Sequence, residues 1–366
     1  MRLFITLALL FDISVSTGLD AQSISFTSSA VQPLGRVNPA TGELTWPASG
    51  ISFNFTGTSA TVPIKSSWGS NRIEIIVDGG TPLVIDNVTG SSITTPPNLS
   101  NGQHNVVIRK MSEALYGSIY LGDPVGSTIL SPGVTTKKRI EIIGDSISVG
   151  YGIDGPYPCV NSAAVEDGTH TYGALTAKNL SADYSIVAWS GKGVTRNYVT
   201  TDVDTSPLMP ELWTRYGAND ADNSYDFKTP ADIVVINLGT NDFSYVGVDA
   251  SGKQYSIRDQ LNATTYTTAL VNFTKAVQGK YPNAVIFMAS SPMLGDFYPT
   301  AEEAQHTKQE KAIKSAIAQL GDKVHFVSFP SQDSSNNNIG CDYHPSPLTH
   351  QQMAVILTAA IKQVVG

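Results

Sequence analysis

The sequence predicts two folded parts in tandem: a jelly-roll β-sandwich over residues 22–132 and a three-layer, flavodoxin-like α/β domain over residues 139–366. Three observations carry this prediction. Short alternating segments with no helical period fill the first region, and nearly continuous apolar runs alternate with helical stretches in the second. Between them SPGVTTKKR, residues 131–139, has no periodicity, so residues 133–138 read as a linker.

In the first region the strand candidates are GISFNFTG (50–57), ATVPIKSS (60–67), NRIEIIVDGG (71–80), HNVVIRKM (104–111) and YGSIYLGD (116–123). Gly, Pro, Asn and Ser separate them, as turns between short strands require. In the second region the candidates are RIEIIGDS (139–146), DYSIVAWS (183–190), DIVVINLGTND (232–242), NAVIFMASS (283–291) and KVHFVSF (323–329). Such runs suit parallel strands whose two faces are both covered by helices. The covering helices are expected around 171–181, 264–280, 301–319 and 347–365.

The first 21 residues read as a secretory signal peptide: Arg2 is followed by an apolar run from Leu3 to Phe11 and then by small and polar residues up to Ala21. No later run approaches the ~20 apolar residues of a membrane span. Charged residues make up 15% of the chain and the net charge is -8, which argues against a nucleic-acid surface. The chain is therefore expected to be secreted, extracellular and monomeric, with no nucleic-acid or membrane partner. Sequons at Asn54, Asn87, Asn98, Asn179, Asn262 and Asn272 agree with a secreted glycoprotein. In an oxidising compartment the two cysteines, Cys159 and Cys341, read as one disulfide. They cannot form a metal cluster by themselves, and neither a metal nor a cofactor is expected.

Three of the α/β strands end in small polar residues: Ser146 after the first, SGKG (190–193) after the second and GTND (239–242) after the third. Parallel, adjacent strands bring such ends to one edge of the sheet, where ligands collect in open α/β folds. A hydroxyl nucleophile at Ser146 would find oxyanion donors in the backbone N–H groups of Ser146 and Gly191 and in the side-chain amide of Asn241. The base is expected to be His344. Of the six histidines it alone lies in a loop after the fifth strand, just before the last helix, with Asp342 two residues earlier. An acidic group there could orient the imidazole. The small residues around Ser146, Ile147, Ser148 and Gly150 suggest a confined acyl space, and Trp189, Phe243, Tyr245, Phe297, Tyr298 and Tyr343 are candidates for stacking on a substrate or for the core.

In order, GDSIS, SGKG, GTND and DYHP resemble the four blocks of the SGNH (GDSL) hydrolase superfamily, whose Ser, Gly, Asn and His fall on Ser146, Gly191, Asn241 and His344. The last block departs from the usual Asp-x-x-His: Cys341 stands where that Asp belongs, and Asp342 is one residue closer. Together with GRVNPATGELTWPASGISFNFTGT and MSEALYGSIYLGD in the front region, INLGTNDFS and CDYHPS narrow the resemblance to carbohydrate esterase family 2. It implies an acetyl xylan esterase-like deacetylase acting on O-acetylated plant polysaccharides such as xylan and glucomannan. It also implies either Asp342 as the third triad member or a backbone carbonyl in its place.

Two other functions remain open at this stage, because fold does not fix function. One is a carbohydrate-binding protein with a degenerate hydrolase domain; the other is a GDSL lipase or phospholipase. No G-x-S-x-G elbow, Walker A pattern or metal-spaced His/Cys cluster is present.

Overall fold

The computed structural model describes residues 22–130, 137–333 and 337–366. The expected signal peptide and most of the expected linker lie outside the described residues. In the front region, strand β1 (Gly50–Gly69) runs unbroken through what the sequence reads as two strands. It does so by changing partners along its length, every one of them antiparallel. Residues 50–57 pair with β3 (Gly102–Lys110), residues 54–61 with β5 (Val125–Leu130), and residues 64–69 with β4 (Gly117–Leu121). Strand β2 (Ile73–Val77) adds to the far edge of β3. Phe53, Phe55, Val62, Ile73, Ile75, Val106, Ile108, Ile119 and Leu121 all point into one buried core. That is the period-2 alternation of the sequence made into a packed face.

The second sheet holds five parallel strands: β6 (Arg139–Gly144), β7 (Asp183–Ala188), β8 (Ile233–Asn237), β9 (Val285–Ala289) and β10 (Val324–Val327). Their spatial order is β7-β6-β8-β9-β10, so the chain steps outward from β6 to β7 and then returns past β6 to β8. This reversal makes a crevice at the carboxyl ends of β6 and β8, the place where such sheets bind ligands. One face, with Ile143, Val234, Ile236 and Met288, packs under α2 (Ala263–Lys280) and α3 (Gln305–Ile317). The other, with Ile142, Val235, Phe287 and Ala289, packs under α1 (Tyr172–Asn179) and α4 (Pro347–Val365). Local chemistry sets the helix starts. Asn262 caps α2 by accepting Thr264 N–H at 2.8 Å, and Ser346 caps α4 with Pro347 as its first residue. Helix α3 starts four residues later than its sequence pattern suggests, because Ala304 is left-handed (φ 44°, ψ 61°).

Two buried charges fasten the front region to the parallel sheet. Arg36 donates to the Glu141 carboxylate in the middle of β6 at 3.0 Å, and both side chains are fully buried. An isolated pair of this kind would lose more in desolvation than it gains in attraction. Here most of the remaining capacity is filled: Trp213 Nε1 donates to Glu141 at 2.6 Å, Arg36 donates to the carbonyls of Trp213 and Arg215, and its guanidinium lies 3.9 Å from the Tyr225 ring centroid, while Arg36 Nε has no partner among the described residues.

Candidate active site

The site is built where β6 runs out. Gly144 ends the strand, and a Cβ at this position would overlap Ser148 Oγ, so the tight turn that follows requires glycine. Asp145 then caps the helical turn Ser146–Val149 by accepting Ile147 N–H at 3.1 Å. Burial raises its carboxyl to about 7. Ser146 is the first residue of that turn. Ile147 and Ser148 turn inward, Ile147 into the core and Ser148 Oγ to within 2.9 Å of Tyr172 Oη. They therefore do not bound an acyl space as their size suggested; packing beneath the turn uses them instead.

Asn241, after β8, joins the first two blocks. Its Nδ2 donates to Lys192 O at 2.9 Å and to Asp145 Oδ2 at 3.3 Å, and so touches the neighbours of both Gly191 and Ser146. Gly191 is left-handed with φ +80°, which suits glycine alone at little cost. The next residue in GTND, Asp242, has a role that the sequence reading missed. Fully buried, its carboxylate accepts N–H bonds from Val194 at 3.0 Å, Thr195 at 2.6 Å and Arg196 at 3.2 Å, which holds the loop after Gly191 in one shape.

His344 Nε2 lies 2.9 Å from Ser146 Oγ. Its other ring nitrogen, Nδ1, lies 2.9 Å from the backbone carbonyl of Asp342. The Asp342 carboxylate, expected to orient the imidazole, does not reach it. It accepts instead the hydroxyl proton of Tyr151 at 2.9 Å. The reason is local backbone geometry: Asp342 (φ 49°, ψ 44°) and Tyr343 (φ 60°) are both left-handed, which turns the carbonyl toward His344 and the side chain away. Two such residues in succession cost on the order of 1 to 3 kcal/mol each and need support from their surroundings. The Tyr151 ring supplies part of it by stacking on the imidazole at 3.9 Å between centroids. The Cys159–Cys341 disulfide supplies more, tying the segment after Ser146 to the residue that precedes Asp342.

A carbonyl oxygen only accepts, so Nδ1 must carry the ring proton and Nε2 keeps its lone pair toward Ser146. Burial pushes the His344 imidazole down to about 4 against the opposing pull of Asp342. The imidazole is the active base only when neutral, and a lowered pKa keeps it neutral into acid. The acid limb of kcat/KM for 4-nitrophenyl acetate is therefore expected at least about one pH unit below the ~6.5 of free histidine. A limb at or above that value would mean that a carboxylate stabilises the imidazolium after all.

The other histidines are engaged elsewhere. His350 accepts Tyr172 N–H at 3.1 Å, His170 pairs with Asp167 at 2.6 Å and His104 with Asp78 at 2.7 Å. Of the aromatic candidates, Phe243 and Tyr245 are buried and Trp189 packs against the core, whereas Phe297, Tyr298 and Tyr343 are exposed. Two exposed rings were not singled out from the sequence: Tyr157, in edge contact with Tyr343 at 5.5 Å, and Tyr198, whose N–H bonds Gly191 O at 2.7 Å. Only their neighbours in space connect them with the site.

A parallel sheet with a Ser–His pair at its carboxyl edge, preceded by an antiparallel sheet-rich region, defines a carboxylic ester hydrolase of the GDSL-like class. Residues 34–130 match the description "Carbohydrate esterase 2 N-terminal" and residues 142–352 match "GDSL-like Lipase/Acylhydrolase family". A carbohydrate esterase family 2 enzyme from Corynascus thermopiles (Myceliophthora fergusii), solved with a carbohydrate-binding domain, is 51% identical, with a TM-score of 0.87 over 92% of this chain and 99% of that one. An "acetylxylan esterase / glucomannan deacetylase" of Cellvibrio japonicus is 30% identical over 97% of this chain and 98% of its own length. The "cellulase/esterase CelE" of Acetivibrio thermocellus is 36% identical over 88% of this chain, which spans only 37% of that longer relative. The chain belongs to carbohydrate esterase family 2.

Proposed function

We propose that this protein is a secreted serine esterase that removes O-acetyl groups from plant polysaccharides, xylan and glucomannan among them, through an acyl-enzyme on Ser146. The observation that carries the proposal is the pairing of Ser146 Oγ with a His344 whose free lone pair faces it at 2.9 Å. His344 Nε2 takes the hydroxyl proton as Oγ attacks the acetyl carbonyl, and the oxyanion forms against the N–H groups of Ser146 and Gly191 and the Asn241 amide, one N–H of which turns to it from Asp145 Oδ2, the longer of its two bonds at 3.3 Å. Collapse breaks the bond to the sugar oxygen, which leaves with the proton from His344. Water, deprotonated by the same nitrogen, then releases acetate and restores Ser146.

The substrate class rests on the Cellvibrio japonicus relative, described as acting on acetylated xylan and glucomannan, and on the exposed rings of Tyr157, Tyr198 and Tyr343 around the motifs. The apolar start of the chain and the Cys159–Cys341 bridge support secretion. Acetate release from acetylated xylan and glucomannan tests the proposal, alongside 4-nitrophenyl acetate, butyrate and octanoate. Each methylene that the site cannot seat should cost on the order of 1 to 3 kcal/mol in kcat/KM. A preference for octanoate with no acetate from either glycan would place the protein among the lipases instead.

A further inference from the structure

Glu113 lies in MSEALYG, between β3 and β4 of the front region, yet its carboxylate reaches into the α/β domain. Oε2 accepts the backbone N–H of Ser190 at 2.9 Å, one residue before Gly191. We propose that Glu113 is a positioning residue for the oxyanion hole: through this bond the front region fixes the Trp189–Ser190 peptide, the one that precedes the peptide carrying the Gly191 N–H. The proposal rests on the reading of Ser146 and Gly191 given above.

The segment that carries Glu113 is held on every side. Its N–H donates to Glu166 Oε2 at 2.8 Å, its carbonyl accepts from the buried Lys110 ammonium at 2.9 Å, and the carbonyl of Ala114 accepts from Asn219 at 3.1 Å. Glu166 is itself anchored by Asn161 Nδ2 at 2.7 Å. Burial raises both carboxyl groups above the ordinary carboxylate range, Glu166 well above it with Glu113 beside it. A buried carboxyl group with no partner would be expensive to keep. Here it ends on a peptide N–H beside a left-handed glycine, the part of the loop with the least stiffness of its own.

Past Gly191 the loop has anchors within its own domain: Asn241 on Lys192 O, Tyr198 N–H on Gly191 O, and Asp242 on residues 194–196. Before Gly191, Glu113 holds the Ser190 N–H from outside the domain. Oxyanion donors stabilise the transition state only when they are already aimed at it. Displacing one should therefore lower kcat and leave ground-state binding alone.

Glu113→Ala tests this with kcat counted per active site titrated by a serine-directed phosphonate, so that unfolded protein does not enter the rate. Loss of a whole oxyanion donor costs about 10² to 10³. A displaced donor should cost about 10- to 100-fold in kcat, with KM within about twofold. Glu113→Gln keeps the length of the side chain and an oxygen for the Ser190 N–H, and should recover kcat to within about threefold of the parent. Should the alanine variant not fold, Glu113→Asp carries the same test, since one methylene less leaves the carboxylate short of Ser190 and kcat should again fall. Wild-type kcat in the Ala or Asp variant overturns the proposal, as does a Gln variant no better than Ala. Ser146→Ala is the parallel control: if it remains active the reading of the site itself fails, whatever Glu113 does.

Discussion

Ser146→Ala is expected to lower kcat for acetyl esters by about 10⁴-fold or more, with the fold and the thermal midpoint little changed. The substitution removes the attacking atom and, with it, the hydrogen-bond partner of His344 Nε2, while the helical turn around it stays packed through Ile147, Ser148 and Val149. Any residual rate would come from binding and from oxyanion donors acting on water. Circular dichroism and a melting curve on the same preparation separate loss of chemistry from loss of structure.

His344→Ala should be nearly as damaging, and the double variant with Ser146→Ala no worse than either single one, because the two residues act as a unit. Asp342 is the informative contrast. A carboxylate that orients the imidazole is lost in Asp342→Asn, and in serine triads that change costs about 10⁴ in kcat. Here the carbonyl of residue 342 holds Nδ1, and asparagine keeps that carbonyl, tolerates the left-handed backbone, and offers an oxygen to the Tyr151 hydroxyl. Asp342→Asn is therefore expected to stay within about tenfold of the parent kcat. A loss comparable to that of His344→Ala would show that the carboxylate acts directly on the imidazole during turnover. Steady-state kinetics on 4-nitrophenyl acetate at neutral pH distinguishes the two outcomes.

Much of the α/β domain is legible because its strands are buried on both faces and each ends in residues with no use in a core. Ser146, SGKG and GTND stand out against the runs that deliver them, and the alternation of strand and helix reads as a parallel sheet, which the fold orders 2-1-3-4-5. What the sequence hides has one physical cause: it depends on partners far away in the chain or on groups with no residue signature. Glu141 reads as the polar position of a strand, and only the fold brings Arg36 to it across 105 residues. A backbone carbonyl leaves no trace in a sequence, so the residues alone leave the Asp342 carboxylate and a carbonyl as alternatives, and only the fold puts the carbonyl of residue 342 on Nδ1. Tyr151 and Glu113 each look like ordinary loop residues. Stacking on His344 and bonding to Ser190 appear only once the loops are in place. In the front region the break expected between 57 and 60 is absent, because a change of pairing partner lets one strand continue where composition suggested a turn.

The most direct test is to quench the enzyme during turnover of 4-nitrophenyl acetate and map the acetyl group by peptide mass spectrometry. An acetyl adduct confined to the peptide that holds Ser146, present in the wild type and absent from Ser146→Ala, is the predicted result. Acetyl on another residue, or a Ser146→Ala variant that still releases acetate at the wild-type rate, would contradict it.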